Sequence, residues 1–318
     1  MGISDVPTSF GLSFFIRTFF PTSIAIILYG IAFYPFIKTT FWFALAFENK
    51  ILVWILLSLL IGILLNLLDI YIYQFYEGLR FWPKQLKDYF LNKQEVKFKK
   101  IDNELKNIYD IIDEKEKLLK TSDDDSVKNK LDVELRELHE KAVGLWAEIR
   151  KYPFKKEYDS YSRRYAEYPT EFGNVLAEYE QYSERQYGMH MMVFWQHIWF
   201  ILPKDIKDDL ELRSAKADFS VYISFLLLTY IFIGTIGFAF WSNILGIISF
   251  FSSTVFCYIS YKMAIQEHKT YGRYIKAIFD LYRFDLADKL DIVMSKNPIE
   301  ENKSWTKLRH HLLDYEPL

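Results

Sequence analysis

The most unusual concentration of side chains able to do chemistry in this 318-residue chain lies between Arg163 and Pro203. The stretch holds Arg163 and Arg164, the tyrosines Tyr165, Tyr168, Tyr179, Tyr182 and Tyr187, and the acids Glu171, Glu178, Glu180 and Glu184. Guanidinium groups suit anions, and the carboxylates of Glu171 and Glu180 with the Asn174 amide suit polar ligands or a second subunit. Arg163, Arg164, Tyr168, Glu171, Asn174, Glu180, Tyr187, His190 and His197 are therefore the candidate ligand- or partner-binding residues. The alternative is a locally packed cap that only stabilises its neighbours. On the binding reading, Glu171→Ala or Asn174→Ala abolishes cellular activity and leaves melting unchanged.

Catalysis has less support. His190 and His197 are seven apart, two turns along one helical face, whereas metal-binding pairs usually sit three or four apart. They read as interfacial histidines satisfied by backbone or water, and no metal or cofactor is expected. Glu178 and Glu180 are two apart and cannot share a helix face, which argues against a paired-acid site. The chain has no G-x-S-x-G, P-loop, H-E-x-x-H or G-x-G-x-x-G pattern, which argues against the common hydrolase, kinase and dinucleotide enzymes. An unfamiliar enzyme acting on lipid stays open as a third reading. Cys257 is the sole cysteine, so disulfides within the chain and cysteine-built zinc sites are excluded. With 39 basic against 41 acidic residues, nothing suggests nucleic acid.

Two further polar candidates lie in the apolar part of the chain. Asn66 is deep enough in its apolar run to want a hydrogen-bonded partner on a neighbouring helix. Asp69 reads either as an interfacial acid in contact with water or as part of a cation-attracting ring at a pore mouth. Gly234, Gly237, Ser249, Ser252, Ser253 and Thr254 suit close helix contact.

The segment Pro169-Thr170-Glu171-Phe172-Gly173-Asn174-Val175-Leu176, followed by Glu180, Tyr187-Gly188 and Trp195, resembles a family of uncharacterised bacterial multi-pass membrane proteins carrying Pro-Thr-x-x-Gly-Asn-x-Leu. The resemblance covers about residues 168–199, and Gln196-His197 stand where the family has Pro and Arg. It implies a bacterial membrane protein and no particular activity.

The elements that must position these residues are helices. Phe219 to Tyr261 is 43 residues without a charge, twice what one crossing needs, so Trp241-Ser242-Asn243 marks a turn between two spans. Thr18 to Ile37 and Ile51 to Leu68 are two more uncharged runs. The fold class predicted is all-α: a polytopic membrane protein with two transmembrane helical hairpins flanking a cytoplasmic helical, coiled-coil hairpin domain. The first hairpin occupies 1–76 (spans about 18–37 and 51–73), and the second 219–263 (spans about 219–240 and 243–263). Pro21 falls in the first turn of its span and Pro35 near its end. Arg17 before the first span, and its length, speak against a cleaved signal peptide; Asp5-Val6 speaks against myristoylation.

Residues 77–218 form the cytoplasmic domain. Ile101, Leu105, Ile108, Ile112, Lys115 and Leu119 repeat in steps of four and three, as do Leu131, Leu135, Leu138, Ala142, Leu145 and Ile149. These are seams of an antiparallel coiled-coil hairpin over about 97–150, its arms roughly 30 Å long. The seams bury each other or form a dimerisation stalk. The second span extends amphipathically to Trp82-Pro83, where Pro83 kinks or ends it. Residues 189–203 are too few to cross a bilayer and lie in the interface or buried under the stalk. Residues 264–318 make a helical tail.

Lys and Arg crowd the flanks of 77–218 and the segment after Lys262, while 38–50 holds only Lys38 and Lys50 and the Trp241 turn none. Both termini and the central domain are therefore expected in the cytoplasm of a bacterial inner membrane. The leading functional reading is an effector or sensor whose cytoplasmic domain controls the packing of the spans and can open a pore. The alternative is a non-conducting scaffold that recruits a cytoplasmic protein through the stalk. The expected partners are the lipid bilayer, further copies of the chain and such a protein.

Overall fold

The computed structural model describes residues 12–37, 46–121, 124–153, 165–237 and 244–314. Among them there are helices and no strand. Four helices are long and apolar enough to cross a membrane: Leu12–Ile31, Phe47–Leu67, Lys204–Ile233 and Ile247–Lys289. The chain divides into two compact units, residues 1–74 with 196–290, and residues 75–195 with 291–318.

The first unit contains all four spans. The first span begins at Leu12, six residues before the expected start, so Pro21 lies inside a continuous helical run and not in its opening turn. Proline has no N–H to offer the carbonyl four residues back, here Arg17. The turn over Phe15–Phe19 is correspondingly wound as a π-helix. The helix Phe20–Ala32 closes with Phe33 as its cap, two residues ahead of Pro35. The second span packs on the first through small polar residues. Thr22 Oγ1 donates to Ser58 O at 2.9 Å, Ser23 and Ser58 hydroxyls meet at 3.1 Å, and Gly62 faces Thr18.

The third and fourth spans are the middles of longer helices, Lys204–Gly237 and Ile244–Lys289. At 1.5 Å per residue the latter is about 69 Å, more than twice a hydrocarbon core, so it projects well beyond it. Tyr230 Oη meets Ser249 Oγ at 2.6 Å, and Cys257 Sγ lies 3.5 Å from Ser224 O. Ser249 and Ser253 are buried, whereas Thr254 faces outward. The packing at Gly234 and Gly237, Trp42, Phe43 and the Trp241-Ser242-Asn243 turn lie outside the described residues. Ile24, Ile27, Leu56, Leu60, Phe251, Val255 and Phe256 are exposed, as a lipid-facing surface requires.

In the second unit the helices Lys84–Thr121 and Asp125–Ile149 pack along their apolar stripes. Leu105, Ile108 and Ile112 are buried with Leu135, Ala142 and Ile149, and Ile101, Leu119, Leu138 and Leu145 pack around them. Lys115, the one polar residue in the first stripe, pairs with Glu134. The contacts Lys115–Glu134, Lys141–Glu104 and Tyr152–Gln94 descend one helix as they climb the other. The first of these helices starts at Lys84, well before residue 97, because Phe98 and Gln94 go on to pack against Tyr152 beyond the second helix. Asp124 caps the second helix by accepting from the Ser126 N–H at 2.8 Å.

Pro83 does not end the extension of the second span. That helix, Asp69–Glu77, closes five residues earlier, at Gly78 with φ +79°. Glycine adopts this left-handed geometry without strain and stops a helix there; Pro83 instead opens the next one.

Candidate functional site

Two polar constellations stand out, one in each unit. In the second unit the Pro169–Leu176 motif builds a knot. Thr170 caps the helix Glu171–Glu180, its Oγ1 accepting from Gly173 N at 2.9 Å. Asn174 is wholly buried, and its amide makes four hydrogen bonds. Oδ1 accepts from the Glu167 and Tyr168 N–H groups, and Nδ2 donates to the Tyr168 and Thr170 carbonyls. An amide has no further capacity, so Asn174 fastens the loop to the helix and has nothing left for a ligand. Gly173 is needed for contact: a Cβ there would sit 2.7 Å from Tyr168 Cβ and 3.1 Å from Glu77 Cα. At Gly78, one would fall 2.3 Å from Pro169 Cγ.

Beside the knot Lys151, almost fully buried, places Nζ 2.5 Å from Glu148 and 3.1 Å from Glu171. Burial pulls its ammonium down, but the two carboxylates outweigh this and hold it above the usual lysine value. Glu180 reaches solvent yet is crowded by protein. Burial first, then Glu77 and Glu167, push its carboxyl up to about 7. Tyr168 is pushed up to about 12, chiefly by burial.

The remaining sequence candidates of this stretch are dispersed. Tyr187 stacks edge-on with Tyr182. His190 precedes the helix Met191–Ile201 and lies outside it, so it does not share a helical face with His197. Its Nε2 is 3.9 Å from Glu184, which also pairs with Arg309 at 2.7 Å. Gly188, at φ +81°, lets the chain lie against Asn302 of the helix Pro298–Asp314. Phe194 and Ile198 are fully buried, whereas Met192 and Phe200 on the opposite face are exposed. Arg163 and Arg164 lie outside the described residues.

The first unit holds the constellation with more chemical potential. Arg17 Nε lies 2.8 Å from Asp218 Oδ2, and its Nη2 donates to Ser214 Oγ at 2.8 Å. Ser214 donates on to Asp218 at 3.2 Å. Tyr73 donates to the other Asp218 oxygen and lies 3.1 Å from His268 Nε2. Next to them Tyr222 donates to Asp69 at 2.8 Å and touches Asn66 at 3.5 Å. His268 and Tyr222 are 3% and 1% exposed, whereas Arg17, Asp69 and Asp218 are half-buried.

Sequence reasoning finds Asn66 and Asp69 but misses Arg17, Tyr73, Asp218, Tyr222 and His268 as a group. Each lies in or beside an apolar run, and two of them, Arg17 and Asp218, mark where runs begin. The legible signal is topological: the start of span one, the end of two, the start of three and the end of four share a side in any pair of helical hairpins. Charges at those ends must meet or face water.

This arrangement offers a half-buried ion pair and a hydrogen-bonded path from imidazole through phenol to carboxylate. It has no positioned nucleophile, and no group of three or more metal-ligating side chains occurs among the described residues. Compared with known proteins, the chain matches no family model, no curated protein and no solved structure.

Proposed function

We propose that the chain is a multi-pass inner-membrane effector or sensor of bacterial type, in which a cytoplasmic helical domain sets the packing of four spans and can open a pore. The observation that carries this reading is the Arg17–Asp218 pair and the polar side chains around it. They come from the first span, the helix following the second, and the long helices of the third and fourth. Even partly withdrawing an ion pair from water costs desolvation, and apolar side chains of similar volume would hold fixed helices together at least as well. A contact that is tight when complete and weak when one charge is lost suits a protein that changes state.

In this reading the spans pair as two hairpins, with both termini inside the cell. The seam around Ile108 and Leu135 is an antiparallel coiled-coil stalk that receives the signal. A wide aqueous path needs more than four helices, so the conducting form is an oligomer. The likeness of Pro169–Leu176 to bacterial multi-pass proteins agrees with the compartment.

The second reading, a scaffold without conduction, is favoured by apolar side chains that the stalk leaves uncovered, among them Ile111, Leu118, Val133 and Val143. Ion flux from liposomes carrying the purified chain separates the two. Flux above that of empty liposomes supports the effector; none under any stimulus supports the scaffold.

A further inference from the structure

The polar cluster of the first unit contains two carboxylates, Asp69 and Asp218, and one guanidinium, Arg17. Arg17, Ser214 and Tyr73 all direct their donors at Asp218 or at each other. Asp69 receives the Tyr222 hydroxyl alone among the described residues. The polar groups around it are Asn66 and Tyr73 from its own stretch, Asp218 and Tyr222 from the third span, Arg17 from the first, and His268 from the fourth. With His268 neutral and both acids ionised, Arg17 balances only one of the two carboxylates among the described residues, and protein shields the site from water in part. The other charge is removed most cheaply by taking up a proton.

Resting on the reading of this cluster as a clasp on the spans, we propose that Asp69 is its pH-sensitive element: protonated, it closes the clasp, and ionised, it repels Asp218 and loosens it. The second span ends at Leu67, short of the expected 73, and Asp69 lies two residues beyond it. Burial, and then Asp218 beside it, push its carboxyl up to about 6, while Tyr222 and Arg17 pull the other way. An acid raised in the folded state stabilises the fold fully below its unfolded value, near 3.9. It loses that contribution as pH rises through the folded one. The clasp is therefore tighter at mildly acid pH than at neutral pH.

The test is the melting temperature of the full chain in detergent from about pH 4.5 to about pH 8, for wild type and Asp69→Asn, both carrying Glu180→Gln. The asparagine imitates the protonated acid. Relative to it, the wild-type background should lose several degrees as pH rises, with most of the loss below about pH 6 and a constant difference above about pH 7. A constant offset between the two overturns the proposal, because a merely structural Asp69 shifts melting equally at every pH. Should Asp69→Asn fail to fold, infrared spectra of the Glu180→Gln protein decide. A protonated-carboxyl band lost around pH 6, and persisting to higher pH in Tyr222→Phe, supports it. The absence of that band, or no displacement in Tyr222→Phe, refutes it. Neither readout requires conduction, so a failure here is distinct from a failure of the pore reading.

Discussion

Arg17 Nε and Asp218 Oδ2 stand 2.8 Å apart although 201 residues separate them in the chain (218 − 17). The pair ties a π-wound turn of the first span to the start of the third span's apolar run. Pro21 shapes one partner's backbone, and Ser214, one turn before Asp218, holds the guanidinium from the other side.

Removing the Asn174 side chain should unfold the knot. Asn174→Ala leaves two N–H groups and two carbonyls of the 167–170 loop without their partners. The expected loss is about 2–4 kcal/mol, since a buried polar group deprived of its partner costs about 1–3 kcal/mol and four are affected together. Chemical denaturation measures it. A variant that keeps full stability and loses only cellular activity would restore Asn174 as a ligand-binding residue.

Gly173→Ala should destabilise the same region by about 1–3 kcal/mol, the usual range for overpacking a close contact. The new methyl meets Tyr168 Cβ at 2.7 Å and the Glu77 backbone at 3.1 Å, and the backbone cannot give way as a flexible side chain would. Hydrogen exchange should show faster opening of Glu171–Glu180 in this variant; unchanged protection there would refute the contact.

Glu180 supplies a pH signature for the second unit. Its carboxyl is held at about 7, against an ordinary 4.5, so ionising it costs more in the folded than in the unfolded chain. Its contribution to stability is complete below about pH 4.5 and is lost as pH rises towards 7. Glu180→Gln should therefore melt higher than wild type at pH 8 and gain little at pH 4.5. An equal gain at both would show that charge is not the cause.

Much of the fold is legible in the sequence, for identifiable reasons. The four spans show because lipid tolerates no charge, and the stripes from Ile101 and Leu131 show because helices repeat apolar residues every three to four positions. The end of the Asp69–Glu77 helix is harder to read, because Pro83 is the louder signal and Gly78 the operative one. The binding reading of Asn174 runs aground for a related reason. An amide that binds a ligand and one that fastens a loop are the same residue in sequence, and only the four partners distinguish them. The Arg17 cluster is hidden because its members are hundreds of positions apart and belong together only once the spans are folded side by side.

Orientation is tested by thiol labelling from outside intact cells in a Cys257→Ser background. On the proposed topology the loop 38–50, with its sparse basic residues, faces the periplasm, so Asn49→Cys should react and Asp124→Cys should be spared. The reverse pattern would invert the topology.

The clasp itself is tested most directly by ion leak from liposomes carrying wild type, Arg17→Gln, Asp218→Asn and the double variant, compared at equal protein content. Each single variant breaks the 2.8 Å pair and should leak several-fold faster than wild type. The double variant should leak no faster than the leakier single, because the two side chains act through one contact. Single variants that fold and leak no more than wild type would contradict the claim that this pair governs the packing of the spans.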